Sequence, residues 1–171
     1  GENIKFGKLS WHGKIDGKVS KDQMIKASTR GKLELVNLNA QLPTQNLNTK
    51  LNKLLWEGDV DLFHQRGEIK QQVKGELKLS KLSAVENMQN LFLIDVGDIS
   101  VKKLNVSPEL AVKADTIRLS DVVSLKSPLM DRPLYQSANV QIDDLNWHST
   151  GGVLIDEVSL DAQKLNIILD S

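Results

Sequence analysis

The chain has 171 residues, 40% apolar and 26% charged, which is enough aliphatic material for a packed face and too little charge imbalance for disorder. Its 22 Lys and Arg balance 22 Asp and Glu, so the positive field that gathers nucleic acid is missing, and aromatics at 4% are too few for base-stacking platforms. With no Cys, disulfides, thiolate metal sites and thiol nucleophiles are excluded.

No run of apolar residues is long enough to span a bilayer, and the chain opens on Gly1 rather than Met. Residues 1–171 are therefore expected to form a single repetitive β unit cut from a longer protein, with any targeting or membrane segment outside it. In chain order, apolar alternation and Gly or Pro punctuation predict strands near 4–10, 13–19, 31–42, 54–62, 68–80, 91–105, 110–120, 138–147, 152–160 and 163–169. Between them, 82–93 has the three-residue spacing of Val85, Met88 and Leu91 that a short helix would show, and a short turn there is the equal alternative. Residues 124–137, with Pro128 and Pro133 and no sustained alternation, read as a long loop.

The strands repeat. Lys8-Leu9-Ser10-Trp11-His12-Gly13 matches Lys53-Leu54-Leu55-Trp56-Glu57-Gly58 at a spacing of 45, and Val101 and Trp147 fall near the next two multiples. A second phrase follows each anchor, centred on Leu33 and Leu35, Leu77 and Leu79, Ile117 and Leu119, and Leu165 and Ile167. Within these phrases apolar and polar residues alternate with period 2, the pattern of a strand with one wet face. The parity then slips, from Leu35 to Leu38, Leu79 to Leu82 and Leu119 to Val122, which predicts a bulge or bend once per repeat. Units of about 45 residues joined by short Gly turns suit an antiparallel meander, because parallel strands need long crossovers. The expected fold is all-β, an elongated, curled, mainly antiparallel sheet forming a groove, with a β-sandwich or β-helix as alternatives.

Sites for chemistry are few. His12, His64 and His148 show no metal-ligand spacing, and they are expected to be strand histidines facing solvent. Asp59 and Asp61 point to one side of a strand, but interleaved Val60 and Leu62 make them the hydrated face. An enzyme on this scaffold would need these carboxylates gathered with Lys or Arg in a cleft. No nucleophile elbow, P-loop, dinucleotide fingerprint or HExxH sequence is present. Trp11, Trp56 and Trp147, recurring once per repeat, are expected to pack.

The L-x-W-x-G phrases at Leu9 to Gly13 and Leu54 to Gly58, with the G-x-L-x-L phrases at Gly31 and Gly75, resemble the AsmA-like, or TamB-like, superfamily of bacterial envelope proteins. Val101 in place of Trp, and the lack of Gly directly after Trp147, depart from the pattern. The resemblance implies a periplasmic β-groove, anchored in the inner membrane by a segment outside this chain, whose trough carries phospholipid acyl chains in maintenance of the outer membrane. On that basis Leu33, Leu35, Leu77, Leu79, Ile117, Leu119, Leu165 and Ile167 face lipid. No catalytic residue, cofactor, metal or nucleic-acid partner is expected. The competing expectation is a structural or adhesion scaffold that binds protein partners and seals its apolar face with its own side chains.

Overall fold

The computed structural model describes residues 3–20, 25–148, 151–161 and 164–165. They form one antiparallel sheet of eleven strand segments: β1 (Asn3–Lys5), β2 (Lys8–Val19), β3 (Ile25–Leu42), β4 (Leu47–Gln65), β5 (Glu68–Glu86), β6 (Leu91–Val106), β7 (Val112–Lys126), β8 (Tyr135–His148), β9 (Gly152–Leu154), β10 (Glu157–Asp161) and β11 (Lys164–Leu165). From β2 to β8 consecutive strands pair as a meander. β1 extends the β2 edge along β3, and β9, β10 and β11 share the other flank of β8. The sheet stays open, and substantial contacts join only hydrogen-bonded neighbours, so neither a sandwich nor a β-helix forms.

Each 45-residue unit is one up-and-down strand pair. The β4–β5 join is a two-residue turn with Arg66 at φ 52° and Gly67 at φ 82°, the left-handed pair that matches the twist of a tight hairpin. Of the two readings of 82–93 the short turn holds, at 87–90, and the helix does not: β5 runs to Glu86 and β6 resumes at Leu91, because Leu82, Ala84 and Glu86 continue an alternation restarted at Lys81. Two further sequence expectations are corrected. The loop at 124–137 narrows to 127–134, since Ser124 pairs with Ile94 and Tyr135 and so belongs to the sheet. Trp147 does not occupy the fourth anchor position; Ile142 does, and Trp147 stands five residues further along β8, opposite Val112 and Val153.

The parity slips are bends. Asn37, Lys81 and Asp121, at φ 56°, 53° and 54°, fall inside the three predicted slips. Each places one residue in the left-handed region, so the alternation restarts with its apolar side on the same face. Beside this line Leu51, Val96, Val122 and the hydroxyl-bearing Ser137 are all buried. Ser137 Oγ lies 2.9 Å from the carbonyl oxygens of both Asn139 and Asp161, which satisfies it and ties β8 to β10.

Candidate functional site: an open apolar groove

Strand register assembles one face of the sheet into continuous apolar rows. One row runs Trp11, Leu33, Trp56, Leu77, Val101, Ile117, Ile142, Val158 across eight strands, each residue directly opposite the next. The neighbouring row runs Leu9, Leu35, Leu54, Leu79, Ile99, Leu119, Val140, Leu160. The positions between them carry Ser10, Glu34, Lys78, Ser100, Arg118 and Gln141 on the opposite face, with Leu55 as the apolar exception.

Six of the eight residues expected to face a ligand therefore stand together: Leu33, Leu77 and Ile117 in the first row, Leu35, Leu79 and Leu119 in the second, all half-buried. Leu165 is placed elsewhere, on β11 opposite Tyr135, because the irregular edge after β8 breaks the 45-residue period. Ile167 lies outside the described residues. Ten further residues of the two rows went unassigned, among them Leu54, Ile99, Val140 and Ile142. The same alternation marks them in sequence, but they lie outside the G-x-L-x-L phrases.

Trp11 and Trp56 sit two strands apart and lean together over Leu33, with ring centroids 6.0 Å apart and planes 20° from parallel. Trp56 is 8% exposed and its indole nitrogen finds no acceptor among the described residues, whereas Trp11 remains 37% exposed. Next to this stack lies a row of glycines, Gly13, Gly31, Gly58 and Gly75, one per strand. A Cβ at Gly58 would run into the Lys74 carbonyl and the Gly75 Cα, and one at Gly13 or Gly31 would meet the Trp11 ring. The glycines let neighbouring backbones close up, creasing the sheet under the tryptophans.

The polar face of the same strands is laced by ion pairs. Arg30 holds Asp59 through two bonds of 2.6 and 3.2 Å, Lys32 meets Glu57 at 3.0 Å, and Glu34 lies between Lys8 and Lys53. Hydrogen bonding to Arg30 holds the Asp59 carboxyl below its ordinary range, and Lys53 does the same for Glu34. Asp61 accepts from the Ser28 hydroxyl and faces Lys26 at 3.5 Å. Arg30, Lys32, Glu57, Asp59 and Asp61 line a shallow depression of about 990 Å³ that also includes His12, Lys14, Asp16 and Lys74. Asp59 and Asp61 do meet Lys and Arg here, yet each is satisfied along the sheet. Asp59 is held ionised, the reverse of what a general acid needs at neutral pH. His12 and His148 stand on β2 and β8, with five strands between them.

Compared with protein-family models, curated proteins and solved structures, the chain matches none. The fold defines an open antiparallel sheet with one aliphatic face, which forms the groove, and one charged face behind it.

Proposed function

We propose that this chain is a non-enzymatic module of the bacterial periplasm, part of a longer protein anchored in the inner membrane. Its apolar groove binds phospholipid acyl chains and conducts them for outer-membrane maintenance. The observation that supports this reading is the pair of unbroken apolar rows on an open sheet whose strands contact only their sheet neighbours. Strands lie about 4.8 Å apart, so a row across eight of them spans roughly 34 Å. One acyl chain fills half of a bilayer core, about 15 Å, so each row has length for two end to end. Each methylene withdrawn from water contributes about 0.8 kcal/mol, and a contiguous aliphatic strip collects that gain without asking for a particular headgroup. Charged groups on the other face keep the sheet wetted.

Organic extraction and mass spectrometry of the purified protein, against a delipidated sample, tests the reading. Phospholipid in a fixed ratio to protein is expected, and Leu79→Glu with Leu119→Glu, which places two charges in one row, is expected to abolish it while circular dichroism retains its strand signal. A lipid-free monomer that excludes hydrophobic dyes would overturn the proposal in favour of a sealed scaffold for protein partners.

A further inference from the structure

The sheet is ragged at one end. β6 stops at Val106, opposite Val73, so residues 68–72 of β5 pair with β4 alone. The matching stretches of β4, β3 and β2 extend alongside, and four strands project beyond the rest by about 17 Å at 3.4 Å per residue.

This projection is amphipathic. One face carries Val19, Ile25, Leu62 and Ile69, with Gln71 and His64 among them and Ile15 at its base, and Ile15, Val19 and Ile69 are 74 to 76% exposed, far more open than the half-buried middle of the groove rows. The other face carries Lys18, Lys26, Phe63 and Lys70 in one row, with Lys26 over the Phe63 ring at 5.1 Å and Arg66 in the turn beyond. Asp16 and Asp61 stand at the base of the projection and Lys26 is paired with Asp61 at 3.5 Å; beyond them the described residues hold Lys18, Arg66 and Lys70 against a single anion, Glu68. The chain as a whole is neutral, so this is a local concentration of positive charge.

We propose that this four-stranded tongue lies flat on an anionic lipid surface. Its aliphatic face enters the boundary of the acyl region, and Lys18, Arg66 and Lys70 reach the phosphates. A single sheet is about 10 Å thick and the polar layer of a leaflet about 5 to 8 Å, so aliphatic side chains on one face reach hydrocarbon as ammonium groups on the other remain at headgroup level. A protein partner has no comparable reason to want exposed aliphatics backed by Lys18, Arg66 and Lys70 with Glu68 as the one anion beside them. The tongue shares a lipid partner with the groove reading but stands on different residues.

Co-sedimentation with vesicles of phosphatidylcholine, alone or mixed with phosphatidylglycerol, tests this. Binding is expected on the mixed vesicles, weakening as salt is raised. Replacing Lys18, Arg66 and Lys70 together by Gln is expected to lower partition onto mixed vesicles about fivefold per charge, on the order of 100-fold in all. Ile15→Thr, Val19→Thr and Ile69→Thr together, all at exposed positions that keep strand propensity, are expected to weaken binding to both kinds of vesicle. Equal binding of the parent protein to both vesicles, no binding, or an unaffected cation variant would each overturn the proposal. So would self-association through the aliphatic face without vesicle binding. Extracted lipid is measured separately, so loss of docking with groove lipid retained separates the two lipid readings.

Discussion

The sheet is creased beside its main apolar row in two different ways. In β2 to β5 the crease is the glycine row, and the alternation passes through it intact: Trp11, Gly13 and Ile15 are evenly spaced, as are Trp56, Gly58 and Val60. In β6 and β8 the same line is crossed by inserting a residue in the left-handed region, Lys103 at φ 50° and Asp144 at φ 51°. The apolar sequence then steps by three, from Val101 to Leu104 and from Ile142 to Leu145. Removing side chains lets backbones approach without changing which face a residue takes, whereas a bulge bends the strand and shifts every later residue by one. Where the two solutions meet, between β5 and β6, the register jumps between Gly75 and Leu77.

The largest effect is expected from filling the glycine crease. Gly58→Val sets a branched side chain against the Lys74 carbonyl and Gly75 Cα and is expected to cost about 3 kcal/mol or more. Gly17→Val, on the same strand face as Gly13 but with open space around it, is expected to stay within about 0.5 kcal/mol. Urea denaturation of both variants checks this. Equal losses would mean that the glycines are a matter of composition and not of close approach.

A smaller effect separates the bulge from the glycine solution. At Asp144, Val is expected to cost about 1 to 2 kcal/mol, because a β-branched residue resists the left-handed region. Gly at the same place should stay within about 0.5 kcal/mol, relief of the backbone offsetting its greater unfolded freedom. If Val is tolerated as well as Gly, positive φ is not what bends the second half.

This contrast explains which parts of the molecule were legible in sequence. Period-2 alternation identified the strands, and the slips from Leu35 to Leu38, Leu79 to Leu82 and Leu119 to Val122 bracketed the bends, because an inserted residue leaves a count in the sequence. Six groove residues followed from the same alternation. Trp147 misled because the third unit is short: the row position on β8 is Ile142, 41 residues after Val101, and Trp147 stands five residues beyond it. The helical spacing of Val85, Met88 and Leu91 came from residues on either side of a turn, so it had no helix behind it. The projecting tongue was invisible because it depends on where β6 stops relative to β5, which only pairing decides.

The charged face gives the last and smallest contrast. Among the described residues the ion pairs concentrate on β2 to β4, while the later strands hold one, Lys103 with Asp115 at 2.7 Å. Asp59 and Glu34 titrate below their ordinary values in the folded chain, so their contribution is present above about pH 4 and lost as pH falls through the lowered values. Lys103 is shifted the other way, mainly by its hydrogen bond to Asp115; its contribution is present below about pH 10 and lost as pH rises through the raised value. Acid should therefore loosen the glycine half and alkali the bulged half. Carbon-detected NMR titration of the Asp59 and Glu34 carboxyls is expected to give midpoints below those of free side chains, returning toward them in high salt because the pairs are exposed. Ordinary midpoints at low salt would show that the ladder of charges lies on the sheet without holding its strands together.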